Sequence, residues 1–187
     1  MILNYGRGRK LPDEIGFVLG DCSYGEQIEL LNMILSISKK RKVLCILSKA
    51  IWKHPDLIYG INVDILLNLF DTAIKILLET VVKKHDILML LEFILAIFRL
   101  RELNNDDINY KLSLNNPLVF DLYRYVERLA ESNIDLPDSR LVLDVQRNES
   151  WKNNHVSDFL YACIIFITGD SCNSEIKIMG ISDNLAN

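Results

Sequence analysis

Apolar residues recur every three to four positions through most of the chain, which is the spacing of one face of an α-helix. The pattern is clearest around residues 62–84, where Ile65, Leu69, Ala73 and Ile76 fall on one helical face. It predicts helices over about residues 24–38, 43–53, 62–84, 85–103, 117–131, 137–147 and 154–168. Residues 108–115 follow no clear period.

Several of the predicted helix ends carry recognisable signals. Ser23 and Glu26 form the S-x-x-E pattern of a capping box. Asn116 followed by Pro117 combines a favoured cap with a favoured first helical residue. Asn62 can cap the third helix, and Gly169 ends the last one. We expect residues 1–22 and 170–187 to be irregular, with a possible β-like segment at residues 176–179.

The predicted fold class is all-α, with residues 1–187 forming a single helical domain. We expect an irregular bundle of about seven helices in which helices one and two, three and four, and five and six pair as αα-hairpins. The pairing resembles HEAT or armadillo repeats. Because the hairpins start near residues 24, 62 and 117, the period is unequal, and a bundle without repeats remains an open alternative.

Composition agrees with a folded chain. Hydrophobic residues make up 50 % of the sequence, and there are only 8 Gly and 4 Pro, which excludes disordered and collagen-like chains. The net charge of −4 is unevenly divided. Residues 1–101 carry 14 Lys and Arg against 11 Asp and Glu, whereas residues 102–187 carry 7 against 14.

The cysteines and the apolar runs favour a cytoplasmic protein with no membrane partner. The 4 cysteines form no CxxC pair, so we expect reduced thiols, although a bond between Cys22 and Cys172 stays open. No signal-peptide pattern is present. The most apolar run, Ile87–Phe98, contains Glu92 and is too short to cross a bilayer.

A histidine followed much later by a His–Asp pair is similar to the HD-domain metal phosphohydrolases. The residues are His54 and the pair His85–Asp86, with Asp121 or Asp144 as a further ligand. The resemblance implies a divalent metal that activates water. Ordinary helix capping by His85 and Asp86 explains the same residues, and we predict no catalytic residue, metal or cofactor.

Nucleic-acid binding is not expected either. The basic stretch of Lys39, Lys40, Arg41 and Lys42, with Lys49 and Lys53 further on, has no interleaved aromatic residues apart from Trp52. A run of cations at the end of a helix is more simply a solvated turn in an acidic protein.

The acidic segment from Glu102 to Glu149 is the strongest candidate for a binding surface. It contains ten acidic residues and five basic ones, with tyrosines and a tryptophan nearby. Carboxylates beside exposed aromatic residues suit a basic protein surface. The candidate partner-binding residues are Asp106, Asp107, Tyr123, Glu127, Glu131, Asp135, Asp138, Glu149 and Trp151.

These observations predict a non-enzymatic protein-binding protein. The most specific hypothesis is a small acidic inhibitor of the immunity or antitoxin type, which blocks the active site of a basic toxin or nuclease. The alternative is a helical scaffold or adaptor that binds a protein or peptide in an apolar groove. The sequence leaves the oligomeric state open.

Overall fold

The computed structural model describes residues 18–19, 21–37, 40–53, 56–79, 81–132, 134–137, 139, 141–144, 156–169 and 177–181. These residues form eight α-helices, a 3₁₀ helix and two short strands. In chain order the elements are α1 (Tyr24–Ile37), α2 (Lys40–Lys53), α3 (Leu57–Gly60), α4 (Val63–Glu79), α5 (Lys84–Phe98), the 3₁₀ helix (Arg99–Leu103), α6 (Asp106–Lys111), α7 (Pro117–Glu131), β1 (Leu141–Asp144), α8 (Asp158–Thr168) and β2 (Lys177–Ile181). The all-α class is confirmed.

Helix α5 lies at the centre of the fold. Its residues Ile87–Phe98 are all buried, including Glu92, because α2, α4 and α8 pack around it. A helix that is apolar on every side needs such a cover. At its end Phe98 meets Phe70 of α4 edge to face, with ring centroids 5.5 Å apart. The predicted burial of this run is therefore observed.

Local capping marks the starts of α1, α4 and α7. The Ser23 backbone N–H donates to Glu26 Oε2 over 2.8 Å, as the capping box predicts. The Asn62 side chain accepts from the Asp64 N–H over 2.9 Å, and the Asn116 side chain accepts from the Leu118 N–H over 3.1 Å. These side chains satisfy amide groups that the first turn of a helix leaves unpaired.

Arg101, in the 3₁₀ helix, ties three parts of the fold together. Its guanidinium donates to the carbonyls of Phe166 and Ile167 in the last turn of α8, over 2.5 and 3.2 Å, and to the carbonyl of Leu112 after α6. It also lies 4.6 Å from the centroid of the Phe98 ring. Burial lowers the pKa of the guanidinium, but an arginine remains charged in proteins. The cation thus complements the negative end of α8.

Gln27, on α1, forms a second buried connection. Its side chain is 3 % exposed and donates to the carbonyls of Leu19 and Gly60, over 3.1 and 2.6 Å. Its Oε1 accepts from the Asn62 N–H over 3.0 Å. One amide therefore joins the chain before α1 to the turn between α3 and α4. Val18, Leu19 and Asp21 are helical, so the predicted irregular segment 1–22 is wrong at these residues.

The predicted sixth helix, over residues 137–147, is wrong at residues 137, 139 and 141–144, which are the part of this range that the structure describes. Residues 141–144 form β1, which pairs antiparallel with β2, with an irregular register after Val142. Ser139 directs this segment, because its Oγ donates to buried Glu92 over 3.0 Å and accepts from the Leu141 N–H over 3.1 Å. The long-range pairing with residues 177–181 outweighs the local helical pattern.

The hairpin arrangement holds for part of the chain. Helices α1 and α2 pack together, and so do α4 and α5, as two of the predicted hairpins require. The third hairpin is absent because its second helix is a strand, and α7 packs instead on α4 and α8. The short helices α3 and α6 were not predicted. No helix in the described part of the chain has both the length and the apolar character needed to cross a bilayer.

Replacing Arg101 by Met should lower the free energy of unfolding by about 2–4 kcal/mol, because three part-buried carbonyls lose a charged donor. Urea denaturation measures the change. Arg128→Met provides the matched control, since Arg128 is exposed and its Nε donates to the Arg124 carbonyl within its own helix. The control should change stability by about 0.5 kcal/mol or less. If both variants lose the same free energy of unfolding, the role assigned to Arg101 is wrong.

The substitution Gln27→Glu should make stability depend on pH. The introduced carboxyl would face the carbonyls of Leu19, Cys22 and Gly60, which favour its protonated form, as does burial. Its folded-state pKa should therefore exceed the unfolded value of about 4.3. The loss of stability relative to wild type should be largest at neutral pH and should shrink as pH falls toward about 4. Thermal melts of both proteins across this pH range test the prediction. A stability difference between wild type and variant that does not change with pH would disprove it.

Candidate functional site

Helix α7 has one buried face and one charged face. Val119, Leu122, Val126 and Leu129 are buried at helical spacing against the core. The turns between them place charged residues on the opposite side, where solvent reaches them. Phe120, which is 45 % exposed, lies at the start of this outer face, with the Arg124 guanidinium 5.9 Å from its ring centroid. The outer face is therefore the polar side of an amphipathic helix.

An open cleft of about 610 Å³ runs along this outer face. We call it the α7 cleft, and its lining residues are Leu78, Asp121, Arg124, Glu127, Arg128 and Glu131. Acidic and basic residues alternate along the helix within the cleft. In the described part of the chain, no ion pair joins these five charged side chains to one another. The cleft thus presents three carboxylates and two guanidinium groups along one helix.

Glu127 is the best anchored carboxylate in the cleft. It is half-buried and accepts a hydrogen bond from the hydroxyl of Tyr123, one turn earlier, over 3.0 Å. This contact restrains the carboxylate of a residue that lines the cleft, and it joins two predicted site residues that lie one helical turn apart. Burial raises the pKa of neighbouring Tyr125, while Arg128 opposes the change.

The other predicted acidic residues lie at the two ends of α7. Asp106 and Asp107 begin α6, whose amides are capped by Asn105. Asn116 Nδ2 donates to the Lys111 carbonyl over 2.7 Å, so α6 ends beside the start of α7. Exposed Asp135 follows the far end of α7.

The nine predicted site residues are therefore only partly brought together. The structure places Glu127 and Glu131 in one cleft and Tyr123 against Glu127. Asp106 and Asp107 lie on α6 and Asp135 follows α7, and none of the three lines the cleft. The remaining three, Asp138, Glu149 and Trp151, lie outside the described residues.

One acidic residue of the same segment is already engaged. Glu102 Oε2 accepts from the hydroxyl of Tyr59 over 2.7 Å. This hydrogen bond is the main cause of a raised pKa for Tyr59. The contact holds α3 against the 3₁₀ helix, so Glu102 contributes to the fold as well as to the acidic surface.

The residues that resemble an HD-type metal site occupy ordinary surface positions where they are described. Asp86 pairs with Arg41 of α2 over 3.0 Å, and His85 beside it is exposed. Asp121 lies in the α7 cleft. His54 lies outside the described residues, as does the side chain of Asp144. Among the side chains that are described, no three His, Cys, Asp or Glu converge closely enough to hold a metal ion.

Two of the three described cysteines are weakly reactive thiols. Cys22, Cys45 and Cys163 are free. Burial is the main cause that raises the pKa of Cys45 to about 11, and burial raises the pKa of Cys163 further. A thiol with such a pKa is a poor nucleophile at neutral pH. Cys172, the other half of the disulfide left open by the sequence, lies outside the described residues.

Two features of the cleft were missed by the sequence analysis. Arg124 and Arg128 were counted only as bases accompanying the acidic residues, although the 121, 124, 128 and 131 spacing places all four on one helical face. Leu78 comes from α4, and nothing local in the sequence connects it with α7. Only the packing of α4 on α7 brings it to the cleft.

The comparisons with known proteins return no match: no family model matches the chain, and neither a curated protein nor a solved structure matches it significantly. The function must therefore be inferred from the surface of the chain itself.

Proposed function

We propose that this chain is a non-enzymatic binding protein that recognises a basic protein through the α7 cleft. The observation that carries the proposal is the row of Asp121, Glu127 and Glu131 along an open cleft, without internal ion pairs in the described part of the chain. Such carboxylates can accept hydrogen bonds from lysine and arginine side chains of a partner.

The surroundings of the cleft extend the acidic surface. Residues 102–136 contain seven acidic and three basic side chains, for a net charge of −4, equal to that of the whole chain. A surface of this kind speeds the association of a positively charged partner, in a manner that weakens as salt rises. Asp106, Asp107 and Asp135 would then guide the partner toward the cleft.

Arg124 and Arg128 give the cleft selectivity. They separate the carboxylates along the helix, so a uniformly positive surface would meet two repelling cations. A preferred partner would place its own acidic groups opposite these arginines and its basic groups opposite Asp121 and Glu131. Repulsion of wrong partners is a common source of specificity.

In its most specific form, the proposed partner is a basic toxin or nuclease whose active site the protein covers, as immunity proteins do. The anchored Glu127 supports this form, because a carboxylate fixed in advance loses little entropy on binding. A helical scaffold that binds an apolar segment is the alternative. It is favoured by the exposed ring of Phe120 and by Leu78 in the cleft.

Reversing two charges in the cleft should weaken partner binding by about tenfold or more. The test variant is Asp121→Lys with Glu131→Lys, and the control is Glu29→Lys with Asp64→Lys. All four residues are exposed, and the two variants have the same net charge. Tagged proteins are incubated with extracts of their native cells at low salt, retained proteins are identified by mass spectrometry, and affinities are then measured with the purified partner.

We expect a basic protein that wild type and the control retain and the cleft variant loses, and that leaves as salt rises. If the partner is a toxin or nuclease, adding wild-type protein should suppress its activity. Equal binding by both variants would disprove recognition through the cleft. If the partner stays bound at high salt and both variants bind it equally, the apolar scaffold is favoured.

A further inference from the structure

A positively charged surface lies at the place where α2 and α5 begin. The ion pair between Arg41 and Asp86 joins the first turns of these two helices over 3.0 Å. Lys42 follows Arg41, and Lys83, Lys84 and His85 immediately precede Asp86; all four of these side chains are exposed. We call Arg41, Lys42, Lys83, Lys84 and His85 the basic edge.

The charges of the basic edge are costly to the fold. The first turn of α2 is Lys40–Arg41–Lys42 and contains no acidic residue, and α5 begins with Lys84 and His85. Cations at the start of a helix oppose the helix dipole, each by a few tenths of a kcal/mol. Only Asp86 offsets them among the described residues 40–42 and 81–86. A local cost of this kind is typical of a functional surface.

A fully exposed apolar residue accompanies these cations. Val81 precedes Lys83 and Lys84 and is completely exposed, whereas its neighbour Val82 packs against the core. The loop therefore turns one valine inward and holds the other out, within two residues of the first lysine. An apolar side chain in front of a group of basic ones is typical of surfaces that dock on anionic membranes.

We propose, in place of the expectation from the sequence that there is no membrane partner, that the basic edge docks this protein on a lipid bilayer that carries anionic headgroups, with Val81 entering the headgroup region. The cations would attract the phosphate and carboxylate groups of the lipids. Because the chain as a whole carries −4, only an orientation that turns residues 102–136 away from the lipid would be attractive, and screening over about 8–10 Å makes that orientation possible.

A nucleic acid would also be attracted by the cations, but the observations favour the bilayer. Single-stranded nucleic acids bind through aromatic side chains on which the bases stack. Residues 40–42 and 81–86 contain no Phe, Tyr or Trp. The exposed Val81 would have no partner on a phosphate backbone, whereas a bilayer provides an apolar one.

Sedimentation with lipid vesicles tests the proposal. One set of vesicles contains equal amounts of phosphatidylcholine and phosphatidylserine, and the other contains phosphatidylcholine alone. We expect wild-type protein to bind only the first set. The variant Lys83→Gln with Lys84→Gln should bind about 30-fold more weakly, since each lysine near an anionic surface contributes about fivefold. This variant should remain folded, because the two substitutions remove cations from the start of a helix.

The matched control is Lys75→Gln with Lys111→Gln, which removes two exposed lysines elsewhere and should bind as wild type does. Val81→Ser should weaken binding by about fourfold or more, the value for burying one methylene group. If the control weakens vesicle binding as much as Lys83→Gln with Lys84→Gln does, the proposal is wrong. It is also wrong if the wild-type protein does not bind anionic vesicles.

A third measurement separates the bilayer from other polyanions. If a single-stranded RNA binds through Lys83 and Lys84 while vesicles do not, the basic edge is a nucleic-acid surface and the proposal is wrong. Unchanged binding of the Val81→Ser variant would also reject the bilayer as the specific partner. Neither set of variants alters the α7 cleft, so failure here leaves the proposed binding of a basic protein unaffected.

Discussion

The burial of α5 on every side is the constraint on which the rest of the structure depends. Twelve consecutive residues, Ile87–Phe98, must be kept from water, and no single neighbouring helix can cover them. Helices α2, α4 and α8 therefore surround α5, and their own apolar faces turn inward. Burial of this extent supplies most of the favourable free energy of folding. It also leaves the outer faces of the surrounding helices free to carry charge.

Three polar side chains, two of them buried and one half-buried, determine how the surrounding elements are joined. Gln27, Glu92 and Arg101 each bind backbone groups or a hydroxyl at a place where the chain changes direction. An apolar residue could fill the same space but could not satisfy these groups, and a backbone carbonyl buried without a partner is costly. The apolar core thus brings the helices together, while these hydrogen bonds fix where the irregular segments attach.

The sequence predicted those features that depend on neighbours within about four residues. The start of α7 at Pro117 and the end of α8 before Gly169 follow from local capping signals, and the burial of Ile87–Phe98 follows from its apolar run. Residues 141–144 could not be predicted in this way, since their strand depends on residues 177–181 and on the bond between Ser139 and Glu92. The same limit applies to the α7 cleft, where Leu78 arrives from another helix.

The charge of the chain shows a similar limit. A net charge of −4 suggests a uniformly acidic surface, yet residues 102–136 alone account for that value. The cations Arg41, Lys42, Lys83 and Lys84 gather where two helices that are distant in sequence begin. The packing of α2 on α5 creates this second surface, because the ion pair of Arg41 with Asp86 brings the two basic runs together. A protein with one apolar core can thus present two surfaces of opposite charge, and each can attract a different class of partner.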